Sequence, residues 1–405
     1  MRGEPLGGLA SLRESNRDKV LQALRVLGVA SRPEVARHTG LSRSTVSTIV
    51  AELVSEGLVV GRANGRRPAS GSGRPPALIA LNPSGGIAVG MDFGKRHLSV
   101  ALADLSHEIV AEERVVLSAD YQAEEAMVTA AKLVERLFTE AAIERSQVVG
   151  VGMGIPGPIH ESGLVGSSAI LPGWVGAAPG QRMSQLLELP VKVGNDASLG
   201  ALAEYAWGAG RGAGIVVYLK VATGIGSGIV IDGRLFEGAG GTAGEIGHTT
   251  IDDEGDICRC GNRGCLETLA GGPAIADLLS RSLGEKLDPE AVIRRAVEGD
   301  PGCRRALADA GRHIGVAVAN LCNLVNPERI VVGGSVGHAG SLLLDPLMES
   351  VSLRAIPSAA EDVEIVLGEL GERAELLGAL ACVLQMASPV PAGRPPALQT
   401  TDTNP

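Results

Sequence analysis

Along the first eighty residues the apolar positions fall at helical spacing and then at strand spacing. Val20, Leu24 and Leu27 share one face of a segment that Gly28 stops. Ser31-Arg-Pro-Glu34 has the form of a capping box, with Pro33 tolerated in the first turn of a second short helix. Gly40-Leu-Ser42 makes a turn, and Ser42 is placed to cap a third helix on which Val46, Ile49, Val50 and Leu53 form one apolar face. The first turn and outer face of that helix carry Arg43, Ser44, Thr45, Ser47 and Thr48, an arginine and four hydroxyls able to meet phosphates and base edges. Two strand-like runs follow, Leu58–Val60 and Ala77–Leu81, and the linker between them holds Arg62, Arg66, Arg67 and Arg74 without one acid. Three short helices and a basic loop between strands read as a winged helix-turn-helix. A three-helix cap or dimerisation module is the other reading of the same pattern.

From Gly86 the pattern changes to short apolar runs ended by glycine turns. Ile87–Met91, Leu98–Leu102, Val148–Val151, Val191–Val193, Ile215–Leu219, Ile229–Ile231 and Arg329–Val332 read as strands. Glu124–Ala142 and His313–Val325 read as helices; in the second, Ile314, Val318, Leu321 and Val325 share a face until Asn326-Pro327 stops it. Alternating strands and helices over this length predict α/β layers with sites at strand ends. From Ser388 onward the chain is rich in Pro, Ala and Thr without periodicity and is expected to be disordered.

Composition sharpens this picture in three respects. The 405 residues suffice for two or three domains. Aromatics are 2% of the chain, so aliphatic residues and alanine must build the cores, and 56 glycines imply many glycine loops. Charge is divided: residues 1–80 hold 12 Lys+Arg against 6 Asp+Glu, and the remainder 24 against 40. A basic head on an acidic body predicts that only the head meets a polyanion. No apolar run is long enough for a membrane span, and no hydrophobic segment follows the N-terminal charges, so neither an anchor nor a signal peptide is expected. Cys303, Cys322 and Cys382, together with metal-type cysteine spacing, favour a reducing cytoplasm.

That spacing is the most specific signal in the chain. Cys258-Arg-Cys260 presents two thiolates from one turn, Gly261 and Gly264 let the backbone curl so that Cys265 reaches the same ion, and His248 supplies a nitrogen from the preceding loop. Four nitrogen and sulfur ligands with no open position suit a closed, structural zinc site; small cysteines filling a core are the alternative. Glu245 and Glu267 bracket the cluster, and a folded zinc loop would turn both carboxylates and the free face of His248 toward one cleft. Paired acceptors of this kind suit the vicinal hydroxyls of a sugar.

The run from Gly241 through His248 and the cysteines to Glu267 resembles the signature of the ROK family of repressors, open reading frames and sugar kinases. The head resembles the winged helix-turn-helix of ROK repressors, including its Gly-Arg-Pro-Pro run and Leu81-Asn-Pro83 exit. This resemblance implies an actin-like, two-lobed sugar-kinase fold behind the DNA-binding domain. It divides the chain into a head at 1–82, a small lobe at 83–198 completed by a helix around 370–387, a large lobe at 199–369, and a tail at 388–405. It also implies that Asn195 orients a sugar hydroxyl and that Asp196 takes its proton in a kinase; without the resemblance, Asn-Asp before a helix is equally a helix cap. Gly152–Gly157 and Leu171–Trp174 match family loops beside the sugar.

On the nucleotide side, Thr223, Gly224 and Gly226 keep one phosphate loop, and Gly333 and Gly334 keep the adenosine-side turn. The first loop departs: Asp92 and Gly94 remain, but Lys95 and Arg96 stand where the kinases have Gly and Thr. Bulky side chains there predict that ATP and magnesium are not used. The expectation is therefore a sugar-responsive DNA-binding repressor of carbohydrate uptake or metabolism genes, with an ATP-dependent sugar kinase that also binds DNA as the alternative. Asn195, Asp196, Glu245, His248 and Glu267 would hold the sugar, zinc would sit on His248, Cys258, Cys260 and Cys265, and a homodimer or homotetramer would bind operator DNA. Sugar would close the lobes and reset the spacing of the paired heads.

Overall fold

The computed structural model describes residues 13–386 apart from 14–15, 18, 22, 25–26, 63–76, 119, 160–162 and 166–171. Arg66, Arg67 and Arg74 of the basic linker, Leu171 and the tail from 388 therefore lie outside the described residues. The chain forms two compact units, one built mainly from the residues up to Gly86 and one from Ile87 to Val383.

In the first unit, the described residues between 13 and 27 are helical, and helices follow at Arg32–Thr39 and Arg43–Ser55. The capping box at Ser31 is present, with Glu34 Oε2 accepting from both the backbone N–H and the hydroxyl of Ser31 at 2.7 Å. Gly40 ends the helix in the left-handed conformation, φ 70°, which glycine adopts without a Cβ clash. Ser42 then accepts the Thr45 N–H at 3.1 Å and opens the third helix. Val20, Leu24, Val35, Val46, Ile49, Val50 and Leu53 close the core, but Leu27 is exposed, because the first helix ends at its last turn. Strands β1 (Ala30–Ser31), β2 (Val59–Arg62) and β3 (Leu78–Leu81) form an antiparallel sheet in the order β1-β3-β2.

The second unit holds two five-stranded sheets. One comprises β4 (Ile87–Phe93), β5 (His97–Asp104), β6 (Ile109–Val116), β7 (Val148–Ile155) and β8 (Val191–Asn195), ordered β6-β5-β4-β7-β8. The other comprises β9 (Ile215–Val221), β10 (Ile225–Ile231), β11 (Arg234–Leu235), β12 (Arg329–Gly333) and β13 (Glu364–Leu367), ordered β11-β10-β9-β12-β13. Counted within each sheet, both orders are 3-2-1-4-5, so the fold repeats one topology twice. The helix Ala123–Glu140 covers the first sheet with Met127, Leu133, Val134 and Phe138. The long helix Pro301–Val325, paired with Ser341–Arg354, covers the second.

The helix Ala374–Met386 lies on β4 and β7 because Gly90 and Gly152 leave room for it; a Cβ at Gly152 would stand 2.0 Å from the Ala379 carbonyl oxygen. Glu204, buried in the helix Asp196–Trp207, accepts N–H groups from Ala209 at 2.8 Å and Leu370 at 3.1 Å, which ties that helix to the segment leading into the last one.

Candidate functional site

Strand ends from both sheets of the second unit converge on one cleft of about 510 Å³. The β4–β5 turn contributes Gly94 to His97, β7 leads to Pro156–Pro158, and β8 ends on Asn195. The β9–β10 turn contributes Ala222 to Gly226, and Gly334 follows β12. This is where α/β folds place ligands, beyond the carboxyl ends of strands, and the volume is that of a small-molecule site. Asn195, Asp196, Glu245, His248 and Glu267 all line it. Of the nucleotide-side residues, Gly94, Thr223, Gly224, Gly226 and Gly334 line it as well, whereas Asp92 is buried behind it and Gly333 packs on Tyr218.

The carboxylates differ in how much of their acceptor capacity is free. Asn195 is indeed a helix cap: its Oδ1 accepts the Ser198 N–H at 3.2 Å while its Nδ2 donates to the Gly157 carbonyl at 3.0 Å. Asp196 Oδ1 accepts the Ala197 N–H at 2.8 Å, and Oδ2 accepts from Lys220 Nζ at 2.8 Å. Glu267 is gripped by Arg259, whose Nε and Nη2 donate to its two oxygens at 3.0 and 2.6 Å. Among the described residues the one ion-pair partner of Glu245 is the His248 ring, at 3.9 Å, which leaves it the most open acceptor of the set. Burial pushes its carboxyl pKa up, with Asp196 and Glu267 adding to the rise and His248 opposing it.

Ligand atoms of His248, Cys258, Cys260 and Cys265 all lie within 4.8 Å of one another. Cys260 and Cys265 Sγ are 3.7 Å apart, and His248 Nδ1 is 3.6 Å from Cys258 Sγ. A tetrahedral ion with Zn–S of about 2.3 Å requires sulfurs about 3.8 Å apart, so the donor set fits a metal in spacing as well as chemistry. Gly264, at φ 61°, makes the turn possible; a Cβ there would meet the Asp252 carbonyl oxygen at 1.5 Å. With Nδ1 facing the sulfurs, His248 Nε2 is the ring nitrogen nearer Glu245.

At the β4–β5 turn a third bulky side chain, His97, joins Lys95 and Arg96 at the cleft. Lys95 and Arg96 are exposed at the cleft, while the His97 ring fills the space beside Gly94 and bonds Asp92 Oδ2 at 2.8 Å. A Cβ at Gly94 would lie 2.1 Å from that ring. Sequence reasoning missed His97, Arg259, Lys220 and its second partner Glu375. Arg259 had a local signal, since it lies between two metal-spaced cysteines; Glu375 had none, being far from Lys220 in the chain.

The helix-turn-helix unit offers a second site. Arg43, Ser44, Ser47 and Thr48 are exposed on the helix Arg43–Ser55. Thr45 is half-buried, and its hydroxyl is bonded to Ser42 Oγ at 2.8 Å, as is that of Ser44; Thr48 donates to the Ser44 carbonyl at 3.2 Å. Arg43 and Ser47 have no side-chain partner among the described residues and are the freest of the five. Arg62 ends β2.

Two lobes of repeated topology, a shared polar cleft and a helix-turn-helix unit define a sugar-kinase-like protein of the regulator type. The chain belongs to the ROK family, whose model matches residues 88–386, and an IclR helix-turn-helix domain matches residues 18–62. It is 32% identical over 393 residues to the xylose repressor of Caldicellulosiruptor bescii, covering 94% of this chain and 98% of that one. A solved ROK family transcriptional regulator, a homologue of the Escherichia coli Mlc protein, superposes with a TM-score of 0.77 at 26% identity, covering 93% of this chain and 97% of that one. A glucokinase of Halalkalibacterium halodurans is 32% identical over 308 residues, covering 72% of this chain and 92% of its own. Among the described residues no helix is long and apolar enough to cross a membrane.

Proposed function

We propose that this chain is a DNA-binding transcriptional regulator that uses its kinase-like unit as a sugar receptor. The observation that carries the reading is the cleft itself, whose lining brings together Asn195, Asp196, Glu245, His248 and Glu267. Match to a repressor over nearly the full length of both chains, helix-turn-helix included, supports it. Glu245 would accept from sugar hydroxyls directly, and Asp196 and Glu267 would do so with the oxygen lone pairs that Lys220 and Arg259 leave free. A structural zinc on His248, Cys258, Cys260 and Cys265 would fix the loop that carries Glu245 and Glu267. Arg43 and Ser47, with Ser44, Thr45 and Thr48 behind them and Arg62, Arg66, Arg67 and Arg74 in the basic linker, would contact operator DNA as a homo-oligomer. The receptor works in the cytoplasm, where its operator is.

The test is fluorescence anisotropy of DNA from upstream of the gene, with and without a panel of monosaccharides. One sugar is expected to change operator affinity at least tenfold, and indifference to every sugar together with loss of specific DNA binding would overturn the reading. An active sugar kinase is the second reading, favoured by Thr223, Gly224, Gly226 and Gly334 remaining in the cleft wall. Hexose-dependent release of ADP from ATP, abolished by Asp196→Ala, would establish it.

A further inference from the structure

Strand β9 is apolar until it nears the cleft, where it carries Lys220. Lys220 Nζ lies 2.8 Å from Asp196 Oδ2 and 3.1 Å from Glu375 Oε1. Glu375 also accepts from the Tyr218 hydroxyl at 3.4 Å. A third acid, Asp92, is buried nearby with His97 on its Oδ2. Burial by itself lowers the Lys220 pKa, but Asp196, Glu375 and Asp92 outweigh it and hold the ammonium well above its ordinary range. Glu375 is pushed up by burial, with Lys220 pulling it down and Asp92 and Asp196 raising it further. Two acids, from the helix Asp196–Trp207 and the last helix, thus share one lysine, and Asp92 on β4 adds its negative field to theirs.

We propose that Lys220 is a built-in counter-ion that takes the place a divalent cation would otherwise have among Asp92, Asp196 and Glu375, and that holds Asp196 as an oriented hydrogen-bond acceptor. Oxygen-rich clusters of this kind attract hard divalent cations, and phosphoryl transfer relies on such a cation to bridge the phosphates and offset their charge. An ammonium at that point repels the cation. Its hydrogen bond to Oδ2 also fixes the orientation of the Asp196 carboxylate, so that the remaining lone pairs face a sugar hydroxyl. Lys220 is a positioning residue, acting through Asp196. The functional consequence rests on the receptor reading, but the cation exchange is measured without any sugar, so the two ideas fail separately.

The experiment uses the full-length, zinc-loaded protein titrated with Mn²⁺ and followed by electron paramagnetic resonance of the free ion. Manganese stands low in affinity for thiolate and imidazole sites and leaves the zinc in place. Lys220→Met is expected to bind one Mn²⁺ at least tenfold more tightly than the wild type, and Lys220→Arg to exclude it as the wild type does. Adding Asp196→Asn to Lys220→Met is expected to remove the new site. Equal Mn²⁺ binding by wild type and Lys220→Met, tight or absent, overturns the proposal. Should Lys220→Met fail to fold, Mn²⁺ or the added change Glu375→Gln is expected to restore folding, since each reduces the uncompensated negative charge. Failure of both to do so assigns Lys220 a packing role and overturns the proposal equally.

Discussion

At the scale of single residues, the cleft is defined by which polar atoms are already engaged. Cys258 and Cys265 are buried, and Cys260, exposed, completes the set with His248. Because Cys265 also caps the helix that begins at Leu266 and carries Glu267, metal loss should reach the carboxylate at once. Cys265→Ser is expected to drop bound zinc from about one per chain to below a tenth of that, and to weaken sugar binding about tenfold or more. Elemental analysis beside calorimetric titration checks both, and retained zinc would refute the assignment of that ligand. In the helix-turn-helix unit, Arg43→Ala is expected to weaken binding to all DNA sequences alike and to reduce the slope of log affinity against log salt by about 1. Thr45→Val should act through the Ser42 cap instead, lowering helix stability more than it alters the salt slope. The clustering of His248 with Cys258, Cys260 and Cys265, and the Ser42 cap, were legible in sequence because each depends on neighbours a few residues away. Lys220 with Glu375, and Asp92 with His97, could be assigned only once the strands and helices carrying them were placed.

At the scale of elements, apolar spacing located the central strands and the edge strand β8, and missed the other edges of the two large sheets, β6, β11 and β13. The run Ile109–Val116 alternates half-buried and exposed positions at a sheet edge, with Glu112, Glu113 and Arg114 paired to Arg373, Arg136 and Glu372, and so lacks the continuous apolar signature of β4 or β5. β13 is four residues on the opposite edge of the other sheet and is equally faint. The helix read as His313–Val325 proves to start at Pro301, where Asp300 accepts the Cys303 N–H at 2.9 Å. His313 sits midway along it with Nδ1 buried and unpartnered among the described residues. Burial, with Arg312 adding to it, lowers its pKa below the ordinary 6.5, while Asp309 and Asp252 oppose the shift. The unfolded chain therefore takes up a proton before the folded one does, so stability falls as pH drops through about 6.5 and rises again above it. His313→Gln is expected to flatten that slope between about pH 7 and 5, measured by urea unfolding at a series of pH values. An unchanged slope would place the proton uptake elsewhere.

At the scale of the whole molecule, the repeated 3-2-1-4-5 topology explains why one cleft can hold both the acids Asp196, Glu245 and Glu267 and the glycine turns at Gly224 and Gly334: each sheet directs its strand ends at the same space. The two sheets share no sequence pattern that spacing alone reveals, so the class was legible but the duplication was not. Regulation adds a thermodynamic demand. If sugar in the kinase-like unit changes operator affinity by some factor, operator DNA must change sugar affinity by the same factor, because both are legs of one closed cycle. A tenfold loss of operator affinity on sugar binding corresponds to about 1.4 kcal/mol, and the reverse titration must return that value. Sugar affinity would be measured by calorimetry with and without saturating operator duplex, and operator affinity by anisotropy with and without saturating sugar. Equal factors establish that the two sites bias a common equilibrium. Unequal factors would mean that sugar acts by changing the number of chains on the DNA, since assembly then enters the cycle as a further step; repeating both titrations across a range of protein concentrations would show that step directly, because only an association equilibrium makes the factor depend on concentration.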